Sequence, residues 1–111
     1  MQGSTPLLTL PIVAAAALLA NRAVTGLGTI PAAGGRCLGF TRTAAAIGDR
    51  VPVDVDGTTL AEAGAAIAID QSLELDAQGR IIPLNAGKPI ARALSAAAAA
   101  GQIIEVLVIA N

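Results

Sequence analysis

Apolar and polar positions in the second half of the chain alternate in short runs and do not recur every three or four residues. Val51, Val53 and Val55 alternate with Pro52, Asp54 and Asp56, the two-residue period of a strand with one apolar and one polar face. Asp56-Gly57 follows directly and predicts a hairpin turn, with residues 58–62 as the return strand and Ala63-Gly64 ending it. Leu73 and Leu75 alternate with Ser72, Glu74 and Asp76, and residues 76–79 read as a turn in which Gly79 is free to take positive φ. Residues 81–84 form the return strand, which Pro83 confines to an edge or to a position whose N–H is not needed. Residues 85–87 are the next turn and 88–94 a further strand. Residues 102–109 are apolar on both faces, as in a strand covered from both sides.

Two segments leave the period of two. Ser95, the five alanines that end at Ala100, and Gly101 have the order of an N-cap, a helical body and a C′ glycine. They predict one short helical turn, held by packing because it is too short to stand alone. At the other end, Pro6 and Pro11 exclude one continuous helix and favour extended geometry, so residues 1–18 read as an N-terminal arm. Residues 14–20 fit a short helix or the start of a buried strand equally well.

The order strand, Thr or Ser, alanine turn, Gly, polar residue, strand occurs twice, in residues 38–53 and 90–106. The offset is 52 residues before the alanines and 53 after them, and residues 21–25 and 71–74 occupy similar places upstream. The pattern suggests a duplicated β unit, about 20–56 and 69–108, whose halves close a small barrel or sandwich. The expected fold is mainly β: a single-domain β-barrel or β-sandwich over residues 19–111, with the helical turn at 95–100 and the extended arm.

Composition adds a reason to look for partners. A chain of 111 residues supports one domain. Hydrophobic residues make up 54% of it and aromatics 1%, and Phe40 is the sole aromatic. Because the hydrophobic gain scales with buried area, a core built from Ala, Val, Ile and Leu is weak for this length. Charged residues are only 14%, and a weakly charged, apolar-rich surface tends to associate. A formal net charge of −1 gives no basic face for phosphates, and no aromatic platform exists for stacking bases, so no nucleic-acid partner is expected. The unbroken apolar run from Pro11 to Ala20 is far shorter than the roughly 20 residues that span a bilayer. No Lys or Arg precedes it as a signal peptide requires, so no membrane partner is expected.

The candidate chemistry is thin. The chain has no His and one Cys, so a Ser-His-Asp or Cys-His arrangement and a Cys/His zinc site are excluded. Cys37 reads as a small buried hydrophobe. Gly26-Leu27-Gly28-Thr29-Ile30-Pro31 begins like a dinucleotide fingerprint, but Pro31 stands where the third glycine belongs, which leaves a surface loop. Asp54 and Asp56 project from one strand face, as a cation site or an acid/base pair would need. Beside an Asp-Gly turn they read better as solvated flanking acids. No catalytic residue, cofactor or metal ligand is expected, and the chain is read as a non-enzyme. Six of the seven basic residues are Arg, which suits bidentate interface contacts, and Arg36, Arg42 and Arg92 are the candidates.

Taken in order, several of these segments resemble one family. They are Asn21-Arg22-Ala23-Val24-Thr25 after the alanine-rich arm, Leu38-Gly39-Phe40-Thr41-Arg42-Thr43-Ala44-Ala45, Gly48-Asp49-Arg50-Val51-Pro52-Val53, Glu62-Ala63-Gly64-Ala65-Ala66-Ile67, Ala77-Gln78-Gly79-Arg80, and Ala91-Arg92-Ala93-Leu94 with Gly101-Gln102-Ile103-Ile104-Glu105-Val106. Their order and spacing, over nearly the whole chain, resemble the small capsid cement or head decoration proteins of tailed phages. The resemblance implies a structural virion protein without catalytic residues, made in the bacterial cytoplasm and carried on the outer capsid surface. Its implied partners are the major capsid protein and its own copies, with a homotrimer favoured. The arm is expected to reach a neighbour through Leu7, Leu8, Leu10 and Ile12. The alternatives are another minor head or tail component and a small ligand-binding β module.

Overall fold

The computed structural model describes residues 6–109, and among these there are eight strands and no helix. They are β1 (Pro6–Val13), β2 (Ala23–Val24), β3 (Gly39–Thr41), β4 (Arg50–Glu62), β5 (Ser72–Leu75), β6 (Ile81–Pro83), β7 (Ala91–Ala93) and β8 (Ile103–Val108). All strand pairings are antiparallel, in the order β2-β3-β4-β8-β7-β5-β6, with β1 added to β4 off this path. A single parallel bridge between Ala63 and Ile81 brings the β6 end back to the end of β4, with Gly64 N–H donating to the Ile81 carbonyl at 2.7 Å. The sheet therefore curls into a half-barrel.

β4 is the spine, and it corrects the expected hairpin. The alternation of its first half is real: Val51 and Val53 are fully buried. The Asp-Gly pair does not send residues 58–62 back along residues 51–55. Residues 50–56 pair with β1 and β3, and residues 58–62 pair with β8. Gly57 has φ +84 and Asp56 Oδ1 accepts from its N–H at 2.9 Å, so the dipeptide makes a local kink inside a strand that continues. The kink is steep, because Thr59 Oγ1 donates to Asp54 Oδ2 at 2.7 Å. In a straight strand these two residues would stand roughly 17 Å apart.

The helical turn expected at 95–100 is absent. Ala97 exchanges both backbone hydrogen bonds with Ile67, each at 2.9 Å. Leu94 N–H donates to the Glu105 carbonyl, and Ser95 Oγ accepts from Glu105 N–H at 3.1 Å, so Ser95 caps no helix. Five alanines are too few to repay helix nucleation, and tertiary partners take their backbone groups. Residues 14–20 behave alike: Leu18 exchanges backbone bonds with Ala45 at 2.8 and 2.9 Å.

Two apolar clusters follow from the curl. The larger is built on Phe40, Leu73, Leu75, Ile81, Ile90, Ile104 and Val106, with alanines filling the gaps. The smaller joins Ala14, Leu18, Val24, Val51 and Val53, against which Ile12 packs in part. Of the arm expected over residues 1–18, residues 1–5 lie outside the described residues, and 6–13 are β1.

Candidate functional site

Among the described residues β1 pairs only with β4. Pro11 stands opposite Pro52, and neither residue has an N–H, so theirs is a non-hydrogen-bonded pair whose carbonyls point to the outer edges. The Pro52 carbonyl accepts from Arg42 N–H at 3.0 Å on the β3 side. By the same parity the free edge of β1 offers Thr9 and Val13, with Pro11 deleting the donor between them. The Val13 end is covered by the 25–29 loop, where a side chain on Gly28 would run into the Val13 carbonyl. The edge is thus protected against indiscriminate pairing by proline and a loop. Its side chains are not covered: Leu7 is 74% and Leu8 49% exposed. Leu10 and Ile12 are half-buried.

The polar anchor of this region was not legible as such. Asp54, read as a solvated acid, is 1% exposed. It accepts from Thr9 Oγ1 of β1 at 2.8 Å, from Thr59 Oγ1 beyond the kink at 2.7 Å, and from Arg42 Nε at 2.8 Å. One carboxylate joins the first strand, both halves of β4 and the loop after β3, beside an open recess of about 220 Å³ lined by Asn21, Arg42, Asp54, Thr59 and Leu60. The local pattern carried no sign of it: Asp54 shares the polar phase of Pro52 and Asp56, opposite to Val51 and Val53, and its burial comes from β1 and from the strand beyond the kink. Asp56 itself is exposed.

The three candidate arginines are not brought together. Arg42 is committed to Asp54, although 43% of its side chain is exposed. Arg92 makes a looser pair with Asp70 at 3.4 Å, both largely exposed. Arg36 lies at the mouth of a different recess of about 390 Å³, with Thr25, Gly26, Cys37 and Leu38. Glu74 and Glu105 are further buried acids that the sequence did not single out. Glu74 is enclosed by two glycine loops and accepts from Asn85 N–H.

Among the described residues no group of three His, Cys, Asp or Glu side chains is placed to hold a metal ion, and no helix is long and apolar enough to cross a membrane. The region therefore combines exposed leucines on an edge strand with one buried carboxylate that ties β1 to both halves of β4. The family model for phage cement proteins matches residues 2–108, and the chain belongs to that family. It is a structural protein of the phage head. The fold is also that of the N base of head fiber gp8.5 in bacteriophage phi29, with a TM-score of 0.76 at 16% identity over 92% of this chain and 93% of that one. No curated protein matches the chain.

Proposed function

We propose that the protein binds the outer surface of a phage head, where it joins major capsid protein subunits and its own copies, with a trimer as the favoured form, and that it carries no catalysis. The observation that carries this reading is the cement-family match over residues 2–108. The exposed Leu7 and Leu8 on a strand that carries no charge support it physically. Apolar side chains at the centre of an interface supply most of its energy, and a specific contact of roughly 1,600 Å² is enough to hold each copy. Repetition over a lattice adds avidity.

The test is sedimentation of purified protein with heads that lack it. Saturable binding at a fixed ratio to the major capsid protein is expected, with the isolated protein an oligomer by light scattering. Failure to co-sediment at any concentration would sink the reading.

A further inference from the structure

The chain has five aspartates, and their surroundings set one apart. Asp54 is buried and accepts from Thr9, Thr59 and Arg42. Asp76 is held by the N–H groups of Gln78 and Arg80 and by Arg80 Nε at 2.8 Å. Asp70 pairs with Arg92, and Asp49 Oδ2 accepts from Ala46 N–H at 3.3 Å. Each of these four is followed by a residue with a side chain: Val55, Ala77, Gln71 and Arg50. Asp56 is exposed and is followed by Gly57. Its Oδ1 accepts from the Gly57 N–H at 2.9 Å, so the nitrogen of the next peptide bond lies against the side chain's own carboxyl group. Groups held within about 3–3.5 Å are at the separation from which attack proceeds. Gly57 has no Cβ to crowd the approach.

The sheet holds this dipeptide loosely. Residues up to Asp56 pair with β1, and residues from Thr58 onward pair with β8. Gly57 stands between the two ladders, opposite Pro6, which has no N–H to give it. The β1–β4 register slips on both sides of Leu8, the residue opposite Asp56. In a regular strand the ladder would keep the peptide plane still and the side chain away from it. At the kink φ is +84 and the amide turns to its own neighbour's carboxylate.

We propose that Asp56-Gly57 is a site of spontaneous covalent modification in the folded protein, forming isoaspartate, and that the product loosens the bend of β4. The Gly57 nitrogen bonds to Asp56 Cγ and a five-membered succinimide closes. One carboxyl oxygen leaves as water, carrying the amide proton and a second proton from the carboxyl group or the solvent. Water then adds back at one of the two ring carbonyls. Breaking the bond from Gly57 nitrogen to Cγ restores aspartate. Breaking its bond to the main-chain carbonyl carbon leaves the chain running through Cβ and Cγ, as isoaspartate. No oxidant or reductant is needed. The amide lone pair is delocalised into the carbonyl, so the nitrogen is a weak nucleophile and the step is slow.

Isoaspartate adds one atom to the backbone at the bend. That bend is clasped by Thr59 Oγ1 on Asp54 Oδ2, and the other oxygen of the same carboxylate holds Thr9 of β1. A longer connection between Asp54 and Thr59 works against both contacts. The strand that carries the exposed Leu7 and Leu8 is then less firmly held.

The experiment ages the full chain at neutral pH, native and in guanidinium chloride, and then digests it with trypsin, which releases residues 51–80 as one peptide. Isoaspartate is measured with an isoaspartyl methyltransferase and placed by mass spectrometry. The native protein should form it at residue 56 at no less than about a tenth of the denatured rate, since the kink leaves the reacting groups together. A slower native rate, or equal amounts at Asp54, Asp70 and Asp76, overturns the proposal. Asp56→Glu keeps the charge and would need a six-membered ring, so the signal should vanish; a signal that persists overturns it. Should that variant fail to fold, Asp56→Asn, from which ammonia leaves in place of water, should reach the same products faster in the native protein; an unchanged rate overturns it. Aged wild type should also show a second unfolding transition a few degrees below the first. A single unshifted transition in protein rich in isoaspartate would overturn the loosening of β4.

Discussion

At the scale of single residues, the fold rests on a few side chains that composition hides. Phe40 is fully buried in a core otherwise made of aliphatic residues, alanine and Cys37. Phe40→Ala should cost about 3–5 kcal/mol, because small neighbours cannot close on the cavity. Urea denaturation would show it as a lower midpoint. Asp54 is the polar equivalent. Asp54→Ala removes the acceptor of Thr9, Thr59 and Arg42 and should cost about 2–4 kcal/mol. Arg42→Ala, at a half-exposed partner, should cost under about 1 kcal/mol. Equal losses from the two changes would contradict Asp54 as the hub. Gly87 has a different role. A Cβ there would run into the Glu74 carboxylate and the Gly34 Cα, so Gly87→Ala should destabilise by about 1–3 kcal/mol in the same assay.

At the scale of elements, the kink in β4 decides the topology. Gly57→Val forces a β-branched side chain to φ +84 and should cost about 1–2 kcal/mol or more. Strand β5 was legible from its alternation, β6 and β7 from the turns that bound them, and β8 from its unbroken apolar run; at the first of those turns Asp76 Oδ1 accepts from the N–H of Gln78 and of Arg80. The Asp56-Gly57 kink was misread because a dipeptide sets a local backbone shape and leaves open which strands the two flanking segments will pair with. The alanine loop was misread because helix propensity is weak beside available tertiary partners. Among the candidate contact residues, the exposure of Leu7 and Leu8 follows the apolar edge pattern. The burial of Asp54 depends on Thr9, 45 residues away. β1 also changes how the arm is tested. Deleting residues 1–15 would strip Ile12 and Ala14 from the cluster around Val51 and Val53, so loss of binding could reflect unfolding. Leu7→Asp with Leu8→Asp should leave the thermal midpoint within a few degrees of wild type and weaken head binding at least tenfold.

At the scale of the whole molecule, compactness and association separate. The accessible surface is 5300 Å², against roughly 5,600 Å² for a monomeric protein of this mass. The scarcity of aromatics therefore does not leave an open or unfinished core. It leaves an outer surface with Leu7, Leu27, Ile47 and Ile69 each more than half exposed. That surface, on a chain of the phage cement protein family, is what an assembly part presents to a lattice. The most direct test is cryo-electron microscopy of heads that lack the protein, imaged before and after it is added. Added density at regular positions on the outside of the shell, contacting neighbouring major capsid subunits, is the predicted result. Density confined to the portal vertex or the tail, or none at all, would contradict it.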